Sequence, residues 1–586
     1  MSGFAIFFSR RGAPDRAVIA AAAGAFSPWP EPNPRRWRQG PDGDRREASG
    51  GGEAVVLAAE DLTADLPGGG LLVADARLDG VASGKGATRR LAALWRPEGG
   101  RSEGALPALG GEFAVAVLDR RRLLIQRDLF GVRPLYFMEK GDEVWVSTLP
   151  AVLLAAARAI GERRLCETTV LDHLLFSRSL EPESTVWQGL KRLPPASRRW
   201  WSPGGSAQEI YDRLEAPAPL QLGTEELVQS IRSALDTAVL DRLDDDGRAN
   251  LWMSGGLDST SVAASCAAVG AQVVAHTVSY ERLIDDREGE MAALAARHLA
   301  LEHHRHAVDD FRLFERWRDL PPSPLPSEPE LDAMYLKIDR LALDHAGVAL
   351  TGLGADPLLL PERRWPNSVG AWLAWWRAYL LVGQRPPLGV ASRWARWRQS
   401  RAELPPLPAW LNQDFAARTA ARQRQDELPR VVPPRAGHRA EALAHTLDAS
   451  WADLFEKLDA GVRGVAIVRR HPFFDRRLVE LLLALPSLPW SLDKWALRQS
   501  QRGRLPEVVR RRAKTPLAGD PWPGVAEPLD LLWREFRATA PVIESILQVD
   551  WIERVLREQP SDRRRWALCG RALSFACWLA IVERGR

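Results

Sequence analysis

Cysteine, lysine and long hydrophobic runs are scarce in this sequence. The 586 residues contain four cysteines whose scattered spacing is not that of a metal site, so we expect reduced thiols in a core. No apolar run reaches the length of a membrane span, and the N-terminus lacks the basic region, apolar run and cleavage site of a signal peptide. These absences predict a cytoplasmic protein without a membrane span.

The net charge is also small, at +4, and no compact basic tract suggests a groove for nucleic acid. Hydrophobic residues make up 46% of the chain and charged residues 26%, as in ordinary globular proteins. Because a single core rarely grows to this length, we expect roughly two to four domains.

Only seven of the 79 basic residues are lysines. A lysine that persists among so many arginines is a candidate for a required chemical role. Lys514, in "RRRAKTP", is such a residue, although chance would also explain it.

The first 150 residues are rich in predicted strands. Residues 30–55 are polar and turn-forming, which predicts a loop, and residues 151–222 form a connector. We assign residues 1–215 to a first domain with its connector. The predicted strands are short apolar or alternating runs between turns: "GFAIFF", "LLVADARLD", "EFAVAVLD", "RLLIQRD" and "EVWVST".

Helices alternate with strands from Thr224 onward. "TEELVQSIRSALDTAVLDRL" repeats apolar residues every four positions, which predicts a helix, and "RANLWM" and "STSVAASCAAVG" follow as a strand and a helix. "QVVAHTVSY", "EGEMAALAARHLAL" and "GVALTGLGAD" continue the alternation. This order predicts a doubly wound parallel sheet, whose ligands bind beyond the carboxyl ends of the strands. We assign residues 216–586 to this second domain.

A Trp-, Arg- and Pro-rich insert lies around residues 360–440. Two interpretations are open: an aromatic surface that grips a peptide, or helices that cover the catalytic core, which we favour. The insert contains seven tryptophans: Trp365, Trp372, Trp375, Trp376, Trp394, Trp397 and Trp410.

The stretch "LWMSGGLDST" ends a predicted strand with two glycines. Gly255 and Gly256 let the backbone turn its N–H groups toward an anion, and the following helix directs its positive end at the same point. Ser254 and Ser259 add hydroxyl donors. An ionised Asp258 repels phosphate, so its presence implies a bridging Mg²⁺. The turn predicts a site for a polyphosphate and its metal, and it lacks the Walker pattern.

This loop resembles the S-G-G-x-D-S loop of N-type ATP pyrophosphatases, which cleave ATP between the α- and β-phosphates. "ADARLDG" and "LGGEFAVAVLD…RDLFGVRPLYF" resemble the glutaminase-type domain of asparagine synthetase B. "TGLGAD", "HPFFDRRLVELLLALP" and "DKWALRQSQRGRLPEVVRRRAKTP" resemble its synthetase domain. The resemblance implies an α/β multidomain protein, with an N-terminal Ntn-hydrolase-like αββα sandwich and a C-terminal doubly wound ATP pyrophosphatase domain with helical additions.

Two positions depart from the pattern of that family. The glutamine-dependent enzymes have a cysteine as second residue, whose thiol attacks glutamine, whereas Ser2 stands here. Because a hydroxyl needs stronger activation than a thiol, we expect the first domain to be a scaffold that supplies no ammonia, with Ser2 as an alternative nucleophile. The acidic residue expected after Asp356 is replaced by Pro357, so a base is absent there.

Without ammonia, the amine must come from the substrate, as in lasso-peptide cyclases and β-lactam synthetases. The run from "HPFFD" to "KTPLAGDP" is similar to the lasso cyclases. The resemblance implies that ATP adenylylates an Asp or Glu side chain of a core peptide, whose own N-terminal amine then closes an isopeptide macrolactam. It also implies a precursor peptide, a leader peptidase and a leader-recognition protein as partners. The alternatives are an amidotransferase that uses free ammonia and a β-lactam synthetase that acts on a small β-amino acid.

The resemblance further implies roles for individual residues. Lys514 aligns with the family's catalytic lysine. Apart from the resemblance, the candidates for the missing base are the substrate, pyrophosphate or another acid such as Glu456 or Asp459. Asp258 and Asp356 are expected to bind Mg²⁺. Contacts with ATP and pyrophosphate are expected from Leu251, Ser254, Gly255, Gly256, Asp258, Ser259, Thr277, Val278, Gly352 and Lys494.

Three histidines in "LEHHRH", His303, His304 and His306, raise the alternative of a metal site. A structural zinc needs four ligands, and no fourth candidate is close in sequence. We therefore expect these histidines to be structural or to lie near the nucleotide.

Overall fold

A computed structural model describes most of the chain. Ser2, Lys514, Trp365, Trp394 and Trp397 lie outside the described residues. The described ranges are 3–10, 14–25, 44–48, 52–66, 70–81, 85–95, 106–119, 122–202, 204–215, 217–361, 368–384, 405–427, 437–513 and 522–585.

Two six-stranded antiparallel sheets form the N-terminal part of the described chain, in the orders β10-β8-β9-β1-β3-β2 and β12-β11-β7-β6-β5-β4. Their strands are β1 Phe4–Ser9, β2 Asp44–Ala48, β3 Gly52–Ala58, β4 Thr63–Leu66, β5 Gly70–Leu78, β6 Gly111–Asp119, β7 Arg122–Arg127, β8 Tyr136–Lys140, β9 Glu143–Ser147, β10 Lys191–Arg192, β11 Ser197–Ser202 and β12 Gly205–Ile210.

The first part of the described chain has four layers, two sheets with helices on their outer faces, and side chains alternate along β1 accordingly. Phe4 and Ile6 face the second sheet, whereas Ala5 and Phe7 face helices on the outside of the first sheet, because successive side chains point to opposite faces. One helix packs on the outer face of the second sheet. The result is the predicted αββα sandwich. Its helices are α1 Arg16–Ala25 and α3 Pro150–Ala159 on the first sheet and α2 Lys85–Leu94 on the second, with α4 Glu167–Phe176 following.

A five-stranded parallel sheet with flanking helices follows, in the order β15-β14-β13-β16-β17. Its strands are β13 Arg248–Trp252, β14 Gln272–Ser279, β15 Glu302–Ala307, β16 Val348–Leu350 and β17 Val468–Arg470. Helix α5 Thr224–Leu240 precedes the first of these strands, and the helices between them include α6 Leu257–Ala268, α7 Glu288–His298, α8 Pro329–Leu343 and α9 Ala355–Leu358. In α5 the four-residue spacing of Leu227, Ile231 and Leu235 buries one face against the sheet, as predicted.

Helices make up most of the remaining described chain. They are α10 Val369–Val382, α11 Gln413–Arg418, α12 Ala421–Glu427, α13 Ala440–Thr446, α14 Ser450–Leu458, α15 Ala460–Arg463, α16 Arg476–Leu483, α17 Trp495–Ser500, α18 Glu507–Arg510, α19 Leu529–Thr539, α20 Ile543–Ile546, α21 Val549–Glu558 and α22 Asp562–Arg584.

Helix α22 corrects the expectation that no segment is long and apolar enough for a membrane span. Its most apolar window has a mean hydropathy of 1.3, but 67% of that window is buried inside the protein. The helix packs against α8 and α19, and Cys569 and Cys577 are buried on it as free thiols. Because its apolar surface is covered by protein, α22 is a core helix.

Several strands were not predicted from the sequence. Strands β10, β11 and β12 lie in the predicted connector and belong to the two antiparallel sheets, and β2, β4, β8, β15 and β17 were also missed. The predicted loop at residues 30–55 contains β2 and the start of β3, which pair with each other. The polar run "EHHRHA" forms the edge strand β15, and β17 is only three residues long. A polar edge strand and a very short strand have no apolar alternation for a pattern to detect.

The described part of the insert is helical and mixed in burial. Trp375 and Trp410 are buried, whereas Trp372 is 43% exposed. Helix α10 packs next to the turn Leu492–Lys494. It therefore lies close to Lys494, which belongs to the candidate active site described below.

Buried ion pairs join the first domain to the second. Arg242, which follows α5, donates to Glu112 in β6 and to Asp475 ahead of α16, at 2.9 Å each, and all three side chains are at most 3% exposed. Burial alone would raise the carboxyl pKa values, but neighbouring arginines lower the pKa of Glu112 and that of Asp475 to about 2. These two carboxylates are therefore compensated, as buried charges must be.

Candidate active site

A cavity of about 1020 Å³ opens beyond the carboxyl ends of β13, β14 and β16. This is the edge at which parallel sheets of this kind bind ligands. We call one side the phosphate end, lined by Ser254, Asp258, Ser259, Gly352, Gly354 and Asp356. We call the other side the acid end, lined by Glu328, Glu330, Asp332, Tyr335, Lys457 and Ser574.

The turn between β13 and α6 has the shape that the two glycines predict. Gly255 has a φ of +69°, and a Cβ atom there would lie 2.4 Å from the carbonyl oxygen of Glu288 and 2.8 Å from the nitrogen of Ala292. Only glycine fits a left-handed position against two backbone atoms. Helix α6 begins immediately afterwards, so its unpaired N–H groups face the cavity as an anion site.

Hydroxyl groups hold the loop in this shape. The backbone N–H of Ser254 donates to Oγ of Ser259 over 3.1 Å, and the N–H of Gly256 donates to Oγ of Ser254 over 3.4 Å. The loop is thus ordered by its own side chains before a phosphate arrives.

Gly352, in the turn after β16, packs directly on the start of α6. A Cβ atom there would lie 2.7 Å from the backbone nitrogen of Ser259 and 3.0 Å from the carbonyl carbon of Asp258. The missing side chain lets the "TGLGAD" turn and the phosphate loop meet. This contact explains why both glycine-rich turns line one site.

Two predicted metal ligands and one predicted phosphate ligand meet at the phosphate end. The ammonium Nζ of Lys494 lies 2.5 and 2.7 Å from the carboxylate oxygens of Asp258 and 2.6 Å from Oδ1 of Asp356. One cation thus bridges two carboxylates from different turns. A pair of carboxylates that share one positive charge is an oxygen-donor set suited to Mg²⁺.

Of three residues in β13 and β14 that were predicted to contact ATP, the structure places one in the cavity and two behind its wall. Val278 lines the cavity. Leu251 is fully buried within β13, and the hydroxyl of Thr277 donates to the carbonyl of Met253, so both lie behind the wall of the cavity. Trp252 and His276 line the cavity instead, and their identity was not predicted.

Glu456 is not where a catalytic base would be. It is fully buried, with one oxygen 3.0 Å from Arg127 and the other 3.3 Å from Arg192. Both arginines belong to the first domain, so Glu456 is a buried interdomain ion-pair partner and the structure does not bring it into the cavity. Asp459 is likewise engaged, 3.6 Å from Arg133.

The three histidines of β15 do not converge on one point. His303 lies 2.9 Å from the Thr277 hydroxyl, His304 pairs with Glu302, and His306 lies 3.0 Å from His276. These contacts agree with the structural role expected from the sequence.

The acid end brings together residues that no motif had marked. Glu330 and Asp332 lie in the first turn of α8, with Glu328 just ahead of it. Lys457 on α14 and Ser574 on α22 complete this side. The run "SEPELD" is a visible cluster of acids, but its partners come from helices far along the chain, so the sequence alone could not place it in the cavity.

Known proteins share this architecture. The sequence profile described as asparagine synthase matches residues 230–580, and the one described as glutamine amidotransferase domain matches residues 83–212. The glutamine-hydrolyzing asparagine synthetase 3 of Bacillus subtilis (strain 168) is 23% identical over 442 residues, which are 71% of this chain and 68% of that protein.

Two further relatives differ in the reactions that their names describe. The glutamine-hydrolyzing asparagine synthetase 1 of Bacillus subtilis (strain 168) is 25% identical over 453 residues, 70% of this chain and 68% of that protein. The carboxyethyl-arginine beta-lactam-synthase of Streptomyces clavuligerus is 24% identical over 416 residues, 70% of this chain and 64% of that protein.

The asparagine synthase match covers more than half of the chain and contains the phosphate loop, the "TGLGAD" turn and the parallel sheet. The glutamine amidotransferase match falls within the αββα sandwich. The chain therefore belongs to the asparagine synthase family of ATP-dependent, amide-forming ligases.

Proposed function

We propose that this enzyme closes an isopeptide macrolactam in a lasso-peptide precursor at the expense of ATP. The observation that carries the proposal is a single cavity with two unlike ends. One end has the geometry of a phosphate site, and the other is acidic and bordered by the aromatic side chains of Tyr335, Trp566 and Trp578. A volume of about 1020 Å³ is at the upper limit of ordinary ligand pockets, which suits a nucleotide together with part of a peptide.

In the first step, a side-chain carboxylate of the peptide attacks the α-phosphorus of ATP. A bond forms from the carboxylate oxygen to phosphorus, the bond to the bridging oxygen breaks, and pyrophosphate leaves. The N–H groups at Gly255, Gly256 and the start of α6 would hold the pyrophosphate, with hydroxyls from Ser254 and Ser259. These groups are preorganised, so they stabilise developing charge without reorganisation during the reaction.

Asp258 and Asp356 would hold Mg²⁺, which supplies positive charge to neutralise the departing pyrophosphate. Lys494, which bridges these carboxylates, keeps them close together before the nucleotide binds. Because Lys494 is itself positive, it would remain near the phosphates as a second source of charge compensation.

In the second step, the N-terminal amine of the same peptide attacks the acyl carbon. A carbon–nitrogen bond forms, the bond from carbon to the AMP oxygen breaks, and the nitrogen gives up one proton to water as AMP leaves. By resemblance, Lys514 would stabilise the charge that develops as the amine attacks the acyl-adenylate. The peptide must be threaded before closure, so orientation within the cavity would make up much of the catalytic contribution.

The proposal implies partners that act before this enzyme. A peptidase must free the amine of the precursor, and a leader-recognition protein would deliver the precursor. Nucleic acid and membrane are not expected among its ligands.

Two other amide-forming reactions are supported by relatives. The asparagine synthetases favour transfer of ammonia to aspartate, and the beta-lactam-synthase favours ring closure in a small β-amino acid. The carboxylates of the acid end favour a substrate that carries its own amine. The aromatic side chains at its border favour a substrate larger than a small β-amino acid.

The test is product analysis with purified protein, ATP and Mg²⁺. A leaderless peptide with an N-terminal glycine and a later Asp or Glu should yield AMP and pyrophosphate and lose one water by mass spectrometry. The same peptide with an acetylated N-terminus should not close. Parallel reactions contain aspartate with ammonium, or a small β-amino acid. Turnover in one of those reactions alone, or formation of ADP, would contradict the proposal.

A further inference from the structure

Three carboxylates lie within five residues at the acid end, and two of them have cationic neighbours. Oδ1 of Asp332 lies 3.5 Å from NH1 of Arg463. The charge of Glu328 interacts with Lys457, whose own Nζ donates to the carbonyl of Ser177 over 2.9 Å. Two of the three acids are therefore compensated by residues from α14 and α15.

Glu330 differs from these two neighbours. Its side chain lines the cavity, and its Oε2 atom is buried without a hydrogen-bond partner among the described residues. The Ser574 hydroxyl lies beside the carboxyl group, but the described chain offers it no cationic partner. A buried carboxylate with an unused oxygen is costly unless something else completes it.

The surroundings of Glu330 raise the pKa of its carboxyl group toward neutral pH. Burial raises the pKa of its carboxyl group to about 7, and the nearby charges of Glu328 and Asp332 act in the same direction, while Ser574 acts in the opposite one. The Cys577 thiol also faces it from α22. A group that gains and loses a proton near neutral pH inside a cavity is suited to proton transfer.

We propose that Glu330 binds the protonated amine of the substrate at the acid end and accepts its proton before the amine attacks the acyl-adenylate. The inference rests on the proposed function, since it assigns the amine subsite of that cavity. The ammonium nitrogen gives one proton to the Glu330 carboxylate, which becomes a carboxylic acid, and the neutral amine keeps the electron pair that forms the amide bond. This supplies the base that Pro357 leaves absent in the turn after β16.

The aromatic border supports an ammonium ligand. Trp566 and Trp578 on α22 line the same cavity, and α22 packs against α8, on which Glu330 lies. Indole faces attract cations, most strongly where water is excluded. Primary amines are therefore the class of ligand that this end would recognise, ahead of neutral amides.

The experiment measures amine binding to the full-length protein without requiring turnover. Glycinamide serves as the probe for a peptide N-terminus and N-acetylglycinamide as its uncharged control, with binding followed by saturation-transfer NMR. Wild type should bind glycinamide at least tenfold more tightly than the acetylated probe, and more tightly as the pH rises through about 7. Glu330→Gln should abolish both the preference and its pH dependence.

Glu225→Gln is the matched control, because Glu225 also lies in the first turn of a helix but is exposed on α5, away from the cavity. It should bind glycinamide as wild type does. ATP binding by each variant reports folding. If Glu330→Gln does not fold, Glu330→Asp keeps the charge and shortens the side chain, and it should weaken glycinamide binding severalfold.

The outcomes separate the two proposals. Wild-type binding of glycinamide by a folded Glu330→Gln, or by Glu330→Asp, would overturn the amine subsite whatever the enzyme synthesises. Glu330-dependent binding of glycinamide would support the subsite even if no peptide is cyclised. The absence of cyclisation would count against the macrolactam reaction alone.

Discussion

Buried carboxylates at the domain interface and at the acid end of the cavity are opposite in character. Glu112 and Asp475 are held by arginines, which lower their pKa values to about 2. Glu330 is half-buried and has no arginine partner among the residues that the structure describes, and burial raises its pKa to about 7. A buried carboxylate whose charge is compensated by an arginine thus stabilises the fold. A carboxylate without such compensation is available to bind a ligand.

Removing a compensating arginine should have the largest effect. Arg242→Leu removes a buried partner that Glu112 and Asp475 share and leaves Arg77 and Arg477 as their remaining arginine partners, so the free energy of unfolding should fall by about 3 kcal/mol in urea denaturation. Arg248→Leu is the control, because Arg248 is 40% exposed and pairs with Asp244 and Asp246 on the surface, where about 1 kcal/mol or less is expected. Equal losses would mean that burial of the pair does not matter.

The next effect concerns activity at the phosphate end. Gly352→Ala forces a Cβ atom against the backbone of Asp258 and Ser259, so ATP-dependent pyrophosphate release should fall by about 10²-fold through misalignment of the loop. Gly347→Ala, at the other end of β16, places its Cβ 3.6 Å from the carbonyl of Ala466 and should retain activity. Steady-state assays of released pyrophosphate make the comparison.

The pH dependence of stability should have opposite signs in the two regions. Because the pKa of Glu330 is raised from 4.5 to about 7 in the folded protein, its contribution to stability is complete below pH 4.5 and is lost as the pH rises to about 7. Relative to wild type, Glu330→Gln should therefore gain up to about 3 kcal/mol between roughly pH 4 and pH 8. Unfolding curves across this range measure the difference, and Glu225→Gln should show none.

At the interface, the lowered pKa values of Glu112 and Asp475 give the reverse behaviour. Their contribution is complete above their ordinary pKa values and is lost as the pH falls toward about 2. Arg242→Leu should therefore be less sensitive to acid than wild type. If the wild-type protein lost stability only as the pH rises and not as it falls, the predicted contrast between the interface and the acid end would be wrong.

The smallest effect is expected at the aromatic border. Trp566→Leu removes an indole from the acid end and should raise the KM for the peptide severalfold, about 1 kcal/mol, with the KM for ATP unchanged. Trp372→Leu, on the exposed face of α10, tests the alternative role of the insert. An equal rise in peptide KM for Trp372→Leu would show that the insert also grips the peptide.

Local chemistry was predictable from the sequence, whereas the partners of each group were not. The phosphate turn was recognised because its glycines, hydroxyls and following helix are neighbours along the chain. Lys494 was a weak candidate, and only the fold shows it between Asp258 and Asp356, in turns more than a hundred residues away. Glu456 was predicted as a base, and nothing in its neighbours along the chain shows that Arg127 and Arg192 enclose it away from the cavity.

The sequence by itself determined a strand-rich first part, a second part in which strands and helices alternate, and a phosphate loop, because periodicity and short turns are consequences of adjacent residues. The tertiary structure alone decided which carboxylates are compensated. Burial and the distance to an arginine depend on packing between helices and strands that are remote in sequence. These two quantities set whether a carboxylate such as Glu112 or Glu330 stabilises the fold or is available to bind a substrate.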